Sequence, residues 1–264
     1  MTPGSPDFTD AGDAFYSPSL SALPWLAHDV IVPDAERWRA DRAGAVRQPS
    51  ARLAPAAGDV TIIGRQTHGD GVAIVARADA IGPRPAIGGL ALLPPTPNHV
   101  ELPDTDAIIL LSTGLIAAVA TADCVPIIVA DTAHRRVAVV HAGWRGTWAR
   151  ILSKTLSRLL ELGARSEDLR LWIGPCIQRR NYEVDPDLAN RFARAFPDAP
   201  DAVSGRRLDL PRLNAAMAQA MGVKTSAIAD AGVCVYEDPR FPSYRRDGDQ
   251  AGRLLTRVGT RPAN

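Results

Sequence analysis

Three residues far apart in the chain carry the chemistry worth following: His68, Cys124 and His141. Cys124 stands immediately before an apolar run, Val125-Pro126-Ile127-Ile128-Val129. His141 closes a second run, Val137-Ala138-Val139-Val140. His68 lies in Gly64-Arg65-Gln66-Thr67-His68-Gly69, just after Val60-Thr61-Ile62-Ile63. A thiol and an imidazole at the ends of neighbouring strands suit two chemistries. One is nucleophilic catalysis, in which the imidazole draws off the thiol proton. The other is a metal site, because zinc accepts Cys and His ligands together and three protein ligands leave one position open. His68 bears on the choice. A catalytic dyad needs a single His, and a second His beside a glycine turn fits zinc better. The chain contains neither HExxH nor CxxC, so none of the short-spaced metal motifs applies.

Other candidates surround these three. Asp123 precedes Cys124 and is a candidate proton carrier. Trp144-Arg145-Gly146 follows His141 and leads into a helix, where backbone N–H groups and an arginine make an anion site. Arg245 and Arg246, beside Tyr244, suit a phosphate or a stacked base. Cys176, after Gly174-Pro175, reads as structural.

The elements that must position them follow from pattern. The runs at 125–129 and 137–140 are short, continuous and bounded by polar residues, as strands buried on both faces are. Val60–Ile63 and Val72–Val75 read as strands flanking the His68–Gly71 turn, and 106–111 and 115–120 as two more. A helix is expected from Trp148 to Leu160, with Gly163 as its stop. Leu169–Ile173 reads as a strand. Asp185 and Pro186 cap a helix that Pro197 ends, and Leu213–Met221 form another, closed by Gly222. Ala231–Val235 reads as the last strand, before a basic tail. Residues 36–52 are charged and weakly patterned, and 82–98 read as a Pro- and Gly-rich loop. Residues 1–20 are expected to be a loose tail, and 21–264 one catalytic domain. Strands interrupted by helices predict an α/β sandwich with a mixed sheet.

Composition narrows the function. The chain has 264 residues, 46% of them hydrophobic, with a formal net charge of +1. This balance argues against nucleic-acid and anionic-membrane partners. Three widely spaced cysteines make no disulfide framework. The acidic start is no signal peptide, and no apolar run is long enough to span a bilayer, so a soluble cytosolic protein is expected.

Several segments together resemble the polyphenol-oxidase, or laccase-domain, family of bacterial cytosolic proteins. They are Arg65-Gln66-Thr67-His68-Gly69, Thr121-Ala122-Asp123-Cys124-Val125-Pro126 and His141-Ala142-Gly143-Trp144-Arg145-Gly146. Ile173–Ile177, Tyr182–Val184, Asp209-Leu210 and Ser243–Gly248 with Gly252-Arg253 also match, so the resemblance covers about Val60 to Arg253. It implies zinc-dependent purine nucleoside phosphorylase activity, with adenosine deaminase and methylthioadenosine phosphorylase activities. It implies His68, Cys124 and His141 as zinc ligands, with Cys124, His141 and Asp123 in catalysis. Arg145, Gln66 and Arg245 become the contacts to a purine nucleoside and phosphate. The implied fold is an α/β sandwich like that of a bacterial glutamine deamidase toxin, whose site is a Cys–His pair. One departure stands out: the family's Arg-Gly-Gly near the start is replaced here by His28-Asp29-Val30-Ile31-Val32-Pro33. The rival readings are a copper polyphenol oxidase, a Cys–His hydrolase and a non-catalytic metal-binding module. A laccase copper cluster needs His-x-His pairs, and the five histidines here include none.

Overall fold

The computed structural model describes residues 7–77, 90–93 and 98–261. It is an α/β sandwich of two seven-stranded mixed sheets with helices on both outer faces. The first sheet runs Thr9–Asp10, Phe15–Tyr16, Leu26–Ile31, Leu254–Thr260, Leu115–Thr121, Val60–Gly64, His99–Leu102. The second runs Ile228–Asp230, Leu169–Ile173, Val125–Asp131, Arg136–Ala142, Ala107–Leu110, Val72–Arg77, Leu90–Leu93.

The alternation of side chains explains the layers. In Val125–Asp131, Ile128 and Ala130 face the first sheet, packing with Val60, Ile62, Val119 and Val258. Ile127 and Val129 face the other way, onto helices Ile151–Glu161, Pro186–Ala195 and Leu210–Ala220. A smaller layer, with Trp38, Ala45 and Val46, covers Ile31, Ile63, Ala118 and Leu255 on the outside of the first sheet. Strands covered on both faces need apolar residues throughout, and this is why the central runs lack polar alternation.

Two crossings between the sheets build one end of the sandwich. Val60–Gly64 belongs to the first sheet and Val72–Arg77 to the second, so they are not a hairpin; residues 64–72 bridge the layers and carry His68. Leu115–Thr121 passes likewise to Val125–Asp131 through a turn holding Asp123 and Cys124. Val125–Asp131 pairs antiparallel with Arg136–Ala142, Pro126 opposite His141, which confirms the expected neighbours.

Several expectations are corrected. The segment from Asp7 to Ser21 is not loose: it forms two short strands and a helical turn, burying Phe15 and Leu20 in the sandwich core. Few residues do this, too few for a periodic signal. The helix expected from Trp148 is broken into Trp144–Trp148 and Ile151–Glu161 by Arg150, whose φ of 60° is left-handed. Ala231–Val235 is not a strand; the strand is Ile228–Asp230, and Cys234 only bridges to Cys176. The last strand is Leu254–Thr260, at the middle of the first sheet, a segment to which no element was assigned, and the basic tail expected at Phe241–Gly248 holds the helical turn Tyr244–Asp247. Its charged residue, Arg257, is buried against Asp29. Most of the 82–98 loop lies outside the described residues, but Leu90–Leu93 within it is an edge strand.

Candidate metal centre and active site

The two sheet crossings and the end of Arg136–Ala142 bring His68, Cys124 and His141 together. One ligand atom from each lies within 4.8 Å of the others. The two imidazoles meet edge to face, ring centroids 4.9 Å apart. His141 and Cys124 lie within the sandwich end, while His68 is exposed at its mouth.

Asp106 organises the cluster, and sequence reasoning missed it. Its fully buried carboxylate accepts a hydrogen bond from His141 Nδ1 at 2.7 Å. It also accepts the backbone N–H groups of Thr67, His68 and Gly69 at 3.2, 3.1 and 2.9 Å. One side chain therefore orients one imidazole and holds the loop bearing the other. The loop needs holding, since His68 has a φ of 60°, unfavourable for a residue with a Cβ. Asp106 heads an apolar run, and that lone acid at the start of a buried strand was the only sequence signal.

The electrostatics reinforce the cluster. Burial pushes the Cys124 thiol up, but His141 and His68 beside it prevail and hold it below the ordinary thiol range. Burial pushes His141 down, but the Cys124 thiolate and Asp106 hold it above the ordinary imidazole range. Burial likewise pushes Asp106 up, and its bonds to His141 and the loop amides bring it below the ordinary carboxylate range. The cluster therefore favours a thiolate, the form that binds metal and attacks carbon.

Glycine makes room for it. A Cβ on Gly143 would lie 2.8 Å from Cys124 Sγ and 3.2 Å from His68 Cδ2. A Cβ on Gly146 would lie 3.0 Å from the Gly69 carbonyl. The spacing Gly143-Trp144-Arg145-Gly146 thus lets the helical turn pack against both the thiol and the His68 loop.

The cluster opens into a cavity of about 570 Å³. Its walls include Trp38, Arg42, Trp144, Tyr182 and Arg253. Trp38 and Arg42 come from the weakly patterned 36–52 region, so no periodicity pointed to them. His28–Pro33, where the Arg-Gly-Gly departure lies, contributes no lining residue. His28 is buried there, its Nε2 accepting the Ser17 N–H at 3.0 Å.

The remaining expected site residues are distributed unevenly. Arg145 lines the cavity, its guanidinium lies 4.3 Å from the centre of the Trp144 ring, and its side chain has no hydrogen bond or ion pair among the described residues. Its helix, Trp144–Trp148, is only five residues long, so the helix dipole adds little to the arginine. Arg245 also lines the cavity, with one Nη donating to the Glu183 carbonyl at 3.0 Å. Gln66 is engaged elsewhere: its amide exchanges two 2.8 Å hydrogen bonds with the Ala120 backbone. Asp123 is also committed, accepting Ser243 Oγ and the Arg245 N–H, both at 2.6 Å. Both line the cavity and both are fastened to backbone or turn. Cys176 is fully buried, bridges to Cys234 and does not line the cavity.

The sequence model of the family described as multi-copper polyphenol oxidoreductase laccase matches residues 34–261. The chain belongs to that family. The match takes in all three cluster residues and begins just after His28–Pro33. A purine nucleoside phosphorylase of Synechocystis is 34% identical over 206 residues, covering 69% of this chain and 73% of the relative. One of Mycobacterium bovis is 31% identical over 223 residues, covering 83% of this chain and 80% of the relative. An adenosine deaminase from an unknown prokaryotic organism is 33% identical, covering 61% of this chain and 64% of the relative. Among solved structures, the hypothetical protein YfiH of Bacillus licheniformis superposes with a TM-score of 0.75 at 19% identity, covering 96% of this chain and 99% of that one. YlmD of Geobacillus stearothermophilus gives 0.72 at 21% identity, covering 97% and 100%. These two neighbours share the fold of the family. Among the described residues no helix is long and apolar enough to cross a membrane.

Proposed function

We propose that this enzyme is a zinc-dependent purine nucleoside phosphorylase that also deaminates adenosine and splits methylthioadenosine. The observation that carries the reading is the convergence of His68, Cys124 and His141 in the wall of an open cavity. The relatives' names supply the substrate class.

The residues present fit a zinc ion. Two imidazoles and a thiolate are its usual donors. A carboxylate behind a ligating His, as Asp106 is behind His141, fixes tautomer and basicity. Gly143 leaves the space between Cys124 and His68 unfilled. Zinc, when bound, supplies Lewis acidity and lowers the pKa of water toward about 7. Copper would draw on the same three donors. A multi-copper cluster is disfavoured because the other three histidines, His28, His99 and His134, bond to Ser17, Thr61 and Asp131 instead.

The chain's own residues do the rest. The cavity has the volume of a small-molecule site, and Trp144 and Tyr182 offer aromatic walls to a purine. Arg145, a cation with no internal acceptor, is placed to hold phosphate. Asp123 fixes the turn from which Arg245 enters. The open cavity and exposed His68 speak against a non-catalytic module whose site is closed.

One observation favours a second reading. Cys124, His141 and Asp106 form a thiol–imidazole–carboxylate row, as a metal-free cysteine hydrolase or deamidase would need. His68 separates the two. Under the zinc reading, purified protein carries about one zinc per chain. His68→Ala and Cys124→Ala then both lose metal, inosine formation and phosphate-dependent release of free base. Under the hydrolase reading Cys124→Ala is inactive and His68→Ala nearly silent, so a fully active His68→Ala protein would overturn the zinc assignment. Arg145→Ala should impair phosphorolysis more than deamination, because only phosphorolysis must hold an anion.

A further inference from the structure

The cavity at Cys124 carries more positive charge than one phosphate needs. Arg42, Arg65, Arg145, Arg245 and Arg253 line it. The one carboxylate among its described lining residues is Asp123, which Ser243 Oγ and the Arg245 N–H already engage. Glu101 answers two of the arginines, Arg42 at 3.1 Å and Arg65 at 3.8 Å. The guanidinium groups of Arg145, Arg245 and Arg253 have no carboxylate partner among the described residues.

These cations come from two different sides. Arg145 belongs to the helical turn Trp144–Trp148, which follows the second-sheet strand Arg136–Ala142. Arg245, from the turn Tyr244–Asp247, has its guanidinium 5.3 Å from the centre of the Tyr182 ring. Both act at Tyr182: burial, and then the Cys124 thiolate, push its phenol up, and Arg245 and Arg145 oppose them. Arg253 and Arg42 belong instead to the first sheet. Arg253 immediately precedes Leu254–Thr260, whose Leu254 stands opposite Thr121, so it enters beside the turn that carries Cys124. Arg42 opens the helix Arg42–Val46, on the outer face of the same sheet, and its guanidinium lies 5.1 Å from the centre of the Trp38 ring. Burial, and then Arg42, hold Arg253 below the ordinary guanidinium range, and the Cys124 thiolate opposes them. Arg253 therefore senses both the second arginine and a ligand of the cluster. One of its Nη atoms donates to the Ala251 and Gly252 carbonyls at 3.1 and 2.8 Å, which fixes the guanidinium without neutralising it.

Inorganic phosphate, held by Arg145, leaves the first-sheet side unmatched. There Arg42, Arg65 and Arg253 share one acid, Glu101, an excess of two positive charges among the described residues. A cleft lined by one sign of charge concentrates the opposite sign, and a nucleoside brings none. We propose that the substrate of this site is a purine nucleoside 5′-monophosphate, its 5′-phosphate held by Arg253 and Arg42 and its base against Trp144 and Tyr182. This rests on the nucleoside reading of the Cys124 cavity and narrows its substrate class. A phosphate monoester carries about −1.5 to −2 at pH 7, which suits the excess. Guanidinium forks bind such oxygens two at a time. The chemistry is unchanged by the extra group. In deamination a water oxygen bonds to C6, the C6–N bond breaks, and ammonia leaves with one water proton while the other stays on the ring. In phosphorolysis a phosphate oxygen bonds to C1′ as the C1′–N9 bond breaks, and the purine takes the phosphate's proton. The 5′-phosphate is untouched in both.

The test is calorimetric titration of inosine 5′-monophosphate, inosine and ribose 5-phosphate into the full chain as purified, in phosphate-free buffer. Neither inosine ligand has a 6-amino group to lose, and no phosphate is present to split it, so binding is read apart from turnover. The nucleotide should bind at least about tenfold more tightly than inosine, or about 1.4 kcal/mol. Arg253→Gln should shrink that ratio to under about threefold. Arg42→Gln, at an exposed position, should lower the ratio as well, and it keeps the test valid if Arg253→Gln does not fold. Ribose 5-phosphate, lacking the base, should bind more weakly than the nucleotide. In turnover, adenosine 5′-monophosphate should release ammonia with a kcat/KM at least about tenfold above that of adenosine. The proposal is overturned if inosine binds as tightly as its nucleotide, if the ratio survives in both arginine variants, or if ribose 5-phosphate binds as well as the nucleotide. In each of these cases the nucleoside reading stands so long as inosine itself binds. If neither inosine nor its nucleotide binds, both fall.

Discussion

Asp29 and Asp106 are both fully buried carboxylates, yet they do opposite work. Asp29 faces a buried cation: Arg257 Nε donates to it at 2.8 Å, a second guanidinium nitrogen and Ser50 Oγ also donate, and Arg257 reaches the Val46 carbonyl at 2.9 Å. That unit is closed. Its charges cancel internally and tie Leu26–Ile31 to Leu254–Thr260 and to residues 46–53. Among the described residues Asp106 has no arginine or lysine partner. Its charge is spent on three loop amides and one imidazole, and so holds His68 and His141 at an open cavity. A buried charge paired within itself serves the fold, whereas one matched only by a strained loop and a titratable ring serves a site.

The largest expected effect is at the closed unit. Arg257→Ala leaves Asp29 buried and unpaired, and should cost about 3–5 kcal/mol in denaturant unfolding. A loss under about 1 kcal/mol, the level of a surface pair, would mean that the two carboxylates are not different in kind.

His28, beside Asp29, adds a pH dependence to the same region. Its folded pKa is about 4, lowered by burial and then by Arg52, against 6.5 as its ordinary value. Between those values the unfolded chain binds a proton that the folded chain refuses. The contribution is therefore complete above about pH 6.5 and lost as pH falls toward 4, by up to about 3 kcal/mol at about 1.4 per pH unit. In His28→Gln, which can still accept the Ser17 N–H, this slope should flatten. An unchanged slope between pH 7 and 4.5 would assign the acid sensitivity to other groups.

At the open carboxylate, Asp106→Asn should lower zinc affinity by roughly 10- to 100-fold, measured by chelator competition. Its unfolding free energy should change less than that of Arg257→Ala. If stability collapses while the surviving folded protein keeps its metal, Asp106 is structural and the contrast fails.

Gly143→Ala sharpens the contrast with the smallest change. The added methyl meets Cys124 Sγ and His68 Cδ2, so about 1–3 kcal/mol of crowding should fall on the metal site. Metal affinity should drop while the melting midpoint moves little. Normal affinity would show that the three donors do not close on a common ion.

Sequence determined much of this. The doubly buried strands were legible because continuous β-branched runs suit a strand covered on both faces, and Cys124 and His141 were legible as their chemical ends. The cap at Asp185-Pro186 was legible because it depends on adjacent residues alone. Tertiary structure decided the rest. That residues 64–72 cross between sheets, which delivers His68 to Cys124, follows from how the layers stack and not from local pattern. Asp106 looked like the polar edge of a strand until its partners arrived from 35 to 39 residues away. Leu254–Thr260 was not legible as a strand because Arg257 interrupts its apolar run, and only the buried carboxylate 228 residues earlier makes an arginine acceptable at the centre of a sheet. Gln66 and Asp123 bore the right chemistry at the right distance in sequence, and only the folded backbone shows that their polar atoms are already engaged. Propensity and periodicity act between near neighbours, whereas burial of charge and convergence of ligands depend on contacts that the chain makes only once folded.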